Sequence, residues 1–290
     1  MNNDVRVIIV NFNAGDALAR SVASVLASRE SLSLLVADNH SHDGSCEKLR
    51  SLYSANQRLE IVENAENIGF SRAVNAVALP ATEPFLLILN PDCELYPGTL
   101  AALRAALEQD PQAALAAPRI VDEHEQTLRG SLRRFPTPLK SFMTATGLSH
   151  LGGHMALFRG VEREGADEEN GTCPAEAVSG ACMMVRADRF RELGGFDEGY
   201  EMHFEDLDLM FRIHQHQWHC LYVSDARAFH LPGTSSRSRP LWVHFQKHRG
   251  MLRFYRKHQA GGHSASARAL FNCGVWMHYL ATLPLAWLKR

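Results

Sequence analysis

The chain has 290 residues, 46% of them hydrophobic and 21% charged, and its 30 Lys and Arg against 32 Asp and Glu leave a net charge of −2. This is ordinary globular composition, and it excludes a disordered chain, a collagen-like repeat and a polytopic membrane protein. The balance hides an asymmetry, because Asp225 is the last acidic residue: residues 1–225 carry −13 and residues 226–290 carry +11.

The first third alternates strand and helix. Val5 to Val10 is a continuous apolar, β-branched run, as a parallel strand buried on both faces requires. Leu18, Val22, Val25 and Leu26 repeat at helical spacing. Leu32 to Ala37 predicts a second strand, and residues 41–45 give turn and N-cap chemistry before another helix. Leu59 to Val62 predicts a third strand, Phe70 to Leu79 a helix, and Phe85 to Leu89 a fourth strand stopped by Asn90-Pro91-Asp92. Such a rhythm builds a Rossmann-like α/β sheet, mostly parallel, with helices on both faces.

The middle is less regular. Leu100 to Leu107 reads as a helix and Ala113 to Val121 as a strand. Residues 122–174 read as loops, with a basic Arg133-Arg134-Phe135-Pro136 turn and an acidic stretch from Glu162 to Glu169. Order returns with a strand over Ala177 to Val185, interrupted at Ser179-Gly180. A short helix over Asp188 to Leu193, a helix over Phe204 to His214 and a strand over His219 to Val223 follow. Trp242 to His258 predicts a basic amphipathic helix. Ala269 to Leu288 then holds no formal charge, but Asn272, His278 and Pro284 interrupt it, which favours a helix lying on a membrane or docked on the body over one that crosses.

The six Cys show no C-x-x-C spacing and several sit in apolar runs, as buried free thiols do in a reducing compartment. The N-terminus lacks the pattern of a secretory signal, so a cytoplasmic location is expected. There is no G-x-x-x-x-G-K-[ST], no G-x-G-x-x-G after the first strand and no G-x-S-x-G elbow. These absences argue against a P-loop enzyme, a dinucleotide dehydrogenase and an α/β-hydrolase. The histidines, dense after His203, are read as giving no His-x-x-x-His pair on a helix, which argues against a zinc hydrolase.

Ligands of a doubly wound sheet bind beyond the carboxyl ends of its strands. Three of those ends are polar here: Asn11-Phe12-Asn13, Asp38-Asn39 and Asn90-Pro91-Asp92. Asp and Asn also cap turns, but three consecutive ends favour a site. Asp92 offers a hard oxygen for a divalent metal that clamps a diphosphate. Glu205, Asp206 and Asp208 compensate a helix dipole or, behind the aromatic run of residues 200–204, place Asp206 as a general base for an acceptor hydroxyl. His230, before a small-residue loop, suits a metal or phosphate contact, or packs as an ordinary surface residue. The basic tail suits an anionic membrane face, nucleic acid or a diphosphate, or packs as a solvated helix on an acidic body.

Together these segments resemble the inverting family-2 glycosyltransferases of GT-A fold, the rhamnosyltransferase-like branch in particular. The resemblance rests on VIIVNFN (7–13), ADNHSHDGS (37–45), NIGF (67–70), LNPD (89–92), SGACMMVR (179–186), GGFDE (194–198), FEDLDL (204–209) and HLPGTS (230–235), in family order. It implies a catalytic domain over 1–240, with a nucleotide-binding half at 1–121 and an acceptor half at 122–240, followed by C-terminal helices over 241–290. By resemblance, Asp38 reads the nucleotide base, and Asn67 lies near the nucleoside. Asn11, Asn13 and Asn90 belong to the donor-binding rim, and Asp92 carries the metal of a D-x-D-type motif whose first Asp is Asn90 here. His230 completes the metal site, Gly180 and Glu205 belong to the sugar pocket, and Asp206 is the base. The implied cofactor is Mg²⁺ or Mn²⁺. The implied donor is dTDP-L-rhamnose, the acceptor a saccharide, free or linked to polyprenyl diphosphate, in cell-surface polysaccharide synthesis. An anionic membrane surface is an expected partner and nucleic acid is not, because the tail offers no aromatic stacking platform. A UDP-hexose or UDP-galactofuranose donor, or a catalytically silent sugar-nucleotide-binding protein, are the alternatives.

Overall fold

A computed structural model of the chain describes residues 4–146, 161, 170–231 and 239–287. The first elements are β1 (Val5–Asn11), α1 (Asp16–Leu26), β2 (Leu32–Asp38), α2 (Ser45–Tyr53), β3 (Leu59–Glu63), α3 (Phe70–Ala78) and β4 (Phe85–Leu89). The four strands are parallel neighbours in the order β3-β2-β1-β4. Successive residues of a strand point to opposite faces, and β1 divides accordingly. Ile8 and Val10 join one apolar layer with α3, while Val7 and Ile9 join the other with α1 and α2. Each such side chain fully withdrawn from water contributes roughly 1.5–3 kcal/mol, which is why the run is apolar on both faces.

Beyond β4 come β5 (Cys93–Leu95), α4 (Thr99–Gln109), β6 (Ala113–Val121), β7 (Leu132–Arg133), α5 (Pro138–Thr146), β8 (Thr172–Ala175), β9 (Ala177–Val178) and β10 (Cys182–Arg186). The chain closes with α6 (Ala187–Glu192), α7 (Glu205–Gln215), β11 (His219–His230), α8 (Pro240–His258) and α9 (Ala265–Trp287). Among the described residues the large sheet runs β3-β2-β1-β4-β10-β6-β11-β5, with β8 beside β11, and β7 pairs with β9 in a separate ribbon. β10 is antiparallel to both β4 and β6, whereas β6 and β11 are parallel. The insertion of β10 sets its start beside the end of β4: Asn90 N–H donates to Ala181 O at 2.8 Å.

Several sequence expectations change. The expected loops of 122–174 contain β7, α5 and β8, elements of two to nine residues with little periodicity. The acidic stretch at 162–169 lies outside the described residues. β5 has only three residues and was invisible as a pattern. β11 runs seven residues past Val223, because a register shift between Val223 and Arg227 absorbs the polar Ser224-Asp225. Cys46, Cys93, Cys182 and Cys220 are buried free thiols, as expected, while Cys173 is half-buried and Cys273 is exposed. No described helix is long and apolar enough to cross a membrane.

Two carboxylates tie α8 to the body. Asp197 accepts from Arg253 Nη2 at 2.7 Å and Lys257 Nζ at 2.6 Å. Asp208, fully buried, accepts from Arg212 Nε and Lys257 Nζ at 2.7 Å each, with His258 Nε2 also at 2.7 Å. Burial opposes the charge of Asp208, but the hydrogen bond with His258 and the charges of Arg212 and Lys257 outweigh it and hold its carboxyl below the usual range. Its stabilisation is therefore complete above the ordinary carboxylate range and is lost as pH falls through the lowered value. Asp208→Asn should cost about 3–5 kcal/mol in urea unfolding near neutrality, since it strands buried cations. The variant should also be less acid-sensitive than the parent, and a loss under about 1 kcal/mol would show that the cluster does not anchor α8.

Candidate active site

The ends of β1, β2 and β4 form one rim, with Asn11 in register with Asp38. Asn11 Nδ2 donates to Asp38 Oδ1 at 2.7 Å and to Ser45 Oγ at 2.9 Å. Asp38 also accepts the Ser41 hydroxyl at 2.6 Å and the Ser41 N–H at 2.9 Å. Burial disfavours its charge, yet the hydrogen bonds from Ser41, Cys46 and Asn11 prevail and its carboxyl lies below the usual range. The Cys46 thiol beside it is pushed up to about 12, by burial first and then by Asp38, and is no nucleophile. Asn13, in the left-handed region at φ 53°, accepts the His42 N–H at 2.8 Å. Asn11, Asn13 and Asp38 thus lock the loop over residues 39–45.

Beyond the rim opens a cavity of about 1290 Å³. Phe12, Asn67, Asn90, Asp92 and His230 line it; Asn11, Asn13 and Asp38 do not. Asn67 turns its Oδ1 to Gly69 N–H at 3.0 Å, which shapes the entry to α3. Asp92 is 7% exposed, and its Oδ1 lies 3.2 Å from His230 Nε2. The fold makes this pair: β5 starts directly after Asp92 and pairs with the end of β11, setting Cys93 opposite His230. Residues 138 places apart in sequence are thereby joined by one antiparallel register.

The other candidate groups arrive through α7. His203 and Phe204 both adopt left-handed backbone, φ 66° and 73°, immediately before the helix. For non-glycine residues this costs on the order of 1–3 kcal/mol each, and such strain persists where surrounding structure imposes it. Of the aromatic run, residues 201–204 line the cavity and Tyr200 is buried beneath. Asp206, next along, projects into the cavity against Gly180. A Cβ at residue 180 would stand 2.6 Å from Asp206 Oδ2, so only glycine permits this approach. Asp206 Oδ1 accepts the Leu207 N–H at 2.8 Å, and Oδ2 is ion-paired with Arg133. Arg133 is positioned in turn by β7–β9 pairing and by its Nε bond to Val178 O at 3.1 Å. Glu205 Oε2 is buried with no hydrogen-bond partner among the described residues. Burial, then the charge of Asp206, pushes the Glu205 carboxyl above its usual range. Asp208 lies outside the cavity lining, in the anchor already described.

Arg133 was legible only as part of a basic turn, and nothing in its spacing tied it to Asp206. The histidine reading needs correction: His244 and His248 do stand four apart on α8. They are engaged locally, with His244 Nε2 at 3.2 Å from Thr282 Oγ1 and His248 Nε2 at 3.0 Å from His278 Nδ1. Among the described residues no three His, Cys, Asp or Glu side chains are grouped to hold a metal by themselves.

Residues 6–161 match the sequence family described as Glycosyl transferase family 2. The N-acetylglucosaminyl-diphospho-decaprenol L-rhamnosyltransferase of Mycobacterium tuberculosis is 30% identical over 242 residues, covering 79% of this chain and 76% of that protein. The rhamnosyltransferase WbbL of Escherichia coli K12 is 26% identical over 161 residues, covering 55% and 56%. Among solved structures, GalNAc-T7 with UDP, GalNAc and Mn²⁺ superposes with a TM-score of 0.60 at 18% identity over 94% of this chain, which spans 55% of that one. The mannosyltransferase PcManGT from Pyrobaculum calidifontis, with GDP-Man and Mn²⁺, gives 0.60 at 14% identity over all of this chain and 74% of that one. The two structural likenesses speak to the GT-A fold alone.

Proposed function

The chain belongs to glycosyl transferase family 2, and from that premise we propose that it moves L-rhamnose from dTDP-L-rhamnose to a hydroxyl of a saccharide carried on a polyprenyl diphosphate. That it is a sugar-transferring enzyme follows from the family. The choice of donor and acceptor is supported by the relatives named for rhamnosyl transfer, one of them for a decaprenyl-diphosphate-linked acceptor.

The observation that carries the mechanism is the meeting of two sets of groups in one cavity: Asp92 with His230, and Asp206 pinned between Gly180 and Arg133. The acceptor hydroxyl oxygen attacks the anomeric carbon while the bond to the diphosphate oxygen breaks on the opposite face, so the configuration inverts. Asp206 accepts the hydroxyl proton, and the electron pair of the broken bond leaves with the nucleoside diphosphate. Because the hydroxyl attacks the face opposite the departing diphosphate, Asp206 must sit across the sugar from the rim that holds the leaving group. Asn67 and Asn90 meet the nucleotide directly, whereas Asn11, Asn13 and Asp38 act by fixing the loop beside it.

Asp92 and His230 fit a divalent ion. A carboxylate oxygen and an imidazole nitrogen, both ligand types for such an ion, meet at 3.2 Å on the cavity wall. When bound, Mg²⁺ or Mn²⁺ would neutralise charge on the departing diphosphate. The reaction belongs, on this reading, to cell-surface polysaccharide synthesis at the cytoplasmic face of the membrane.

The test is turnover of a panel of dTDP-rhamnose, UDP-hexoses and UDP-galactofuranose with a lipid-linked saccharide acceptor. Turnover of dTDP-rhamnose is expected. Turnover of a UDP-sugar alone would replace the donor and keep the mechanism. Tight nucleotide binding without turnover of any sugar, even with a membrane extract added, would favour a silent binding protein. Gly180→Ala should reduce turnover by on the order of 10²-fold, because it displaces Asp206 by a substantial fraction of an ångström or more. Donor affinity, measured by calorimetry, should fall far less.

A further inference from the structure

α9 has two apolar faces, and only one is covered. Phe271, Val275, His278 and Tyr279 turn toward α8: the Tyr255 and Phe271 ring centroids are 4.0 Å apart, and His244 stacks on Tyr279 at 5.0 Å. On the opposite side Leu270, Cys273, Met277, Leu280, Pro284 and Trp287 follow at spacings of three and four residues, and all are exposed. Leu270, Met277, Leu280 and Trp287 are 72%, 63%, 64% and 58% exposed. That period lines one face of a helix. A solvated face would carry charges, and residues 269–287 have none.

We propose that this stripe docks on an anionic lipid bilayer, with α9 lying in the plane of the interface. The helix is not long and apolar enough to cross, which leaves the interfacial mode for so large an apolar face. Charge selects the partner. After Asp225 the chain has 11 Lys and Arg and no acid. Of these, Arg239, Lys247, Arg249, Arg256 and Arg268 have no carboxylate partner among the described residues. All five are exposed, and anionic headgroups attract a basic residue near the surface by about 1 kcal/mol. A second copy of the chain would bring two such tails together without the flanking acidic residues that pair helices in a coiled coil. Trp287 at the helix end suits the headgroup level.

The placement also connects to the site. Trp242 and Lys247 of α8 and His278 of α9 line the cavity. The helix pair that bears the stripe is therefore a wall of the cavity, and a head group presented by a bilayer under α9 has a short path inside. In that respect the inference deepens the lipid-linked acceptor reading and rests on it, although its test makes no use of the reaction.

The test is flotation of the full chain with vesicles of phosphatidylcholine alone or mixed with phosphatidylglycerol. Retention on the mixed vesicles is expected, weakened by salt. Met277→Glu with Leu280→Glu should lower that partition by about tenfold or more, since a charged residue on the buried face is costly. The melting temperature should hold, because both positions are exposed, and Met277→Gln with Leu280→Gln gives the same direction without added charge. Equal retention of parent and variants, or none of the parent, would overturn the proposal. So would a dimer in sedimentation equilibrium that these substitutions dissociate, which would assign the face to a second copy. Retention together with failure to use any lipid-linked saccharide would instead count against the acceptor reading alone.

Discussion

Asp206→Asn should slow sugar transfer by roughly 10²–10⁴-fold, the range that a positioned proton acceptor supplies, while donor binding and melting temperature stay near those of the parent. Asn keeps the shape of the side chain. It fits the space that Gly180 leaves, and its carbonyl oxygen can still accept from Arg133. What it loses is the ability to take a proton. The neighbouring carboxylate makes the experiment discriminating. Glu205 shares the cavity, but burial and the charge of Asp206 push its carboxyl upward, so it retains its proton more readily. Glu205→Gln should therefore cost much less at neutral pH than Asp206→Asn. It should also stabilise the fold as pH rises above the ordinary Glu range, because a raised carboxyl destabilises the native state once the unfolded chain is ionised. Single-turnover rates and urea unfolding of both variants across pH 5–9 (roughly the span between ordinary carboxylates and a raised one) check this. A Glu205→Gln enzyme slower than Asp206→Asn would transfer the role of base to Glu205.

How much of this could be read from the chain differs by element, for physical reasons. β1, β2 and β4 were legible because a strand covered on both faces must be apolar throughout, and their polar ends marked the rim. The pairing of Asp92 with His230 was suggested only by resemblance. It depends on β5, three residues long, meeting the last residue of β11, and no local pattern encodes that register. Arg133 was seen as a basic turn, but its bond to Asp206 follows from the two-residue ribbon β7–β9. The rim residues split for a similar reason. Asn11, Asn13 and Asp38 stand at the expected strand ends, yet Asn11 and Asp38 bond each other and Ser41, Asn13 accepts the His42 N–H, and Asn67 and Asn90 line the cavity instead. In α9 the sequence showed a helix but not its orientation, since both faces are apolar and amphipathicity, the usual guide, is absent.

The second large effect should come from Asp92. Asp92→Ala, or chelation of divalent ions, is expected to reduce transfer by on the order of 10³-fold, about 4 kcal/mol of transition-state stabilisation. The informative measurement is the combination. If the ion acts through Asp92, the two losses share one cause and do not add, so a chelator should have almost no further effect on the variant. A full additional loss would place the ion elsewhere and leave the Asp92–His230 contact as a simple link between β5 and β11. His230→Ala should be milder, because it leaves the harder carboxylate ligand in place, and excess Mn²⁺ should recover part of the rate. Asp92→Asn separates this from folding. It preserves an acceptor for His230 at the 3.2 Å contact, so its melting temperature should match the parent's while its affinity for nucleoside diphosphate in the presence of Mn²⁺ falls. A variant that loses the fold and the activity together would report on the strand junction. One that loses only the metal-dependent part of diphosphate binding would assign Asp92 to the ion.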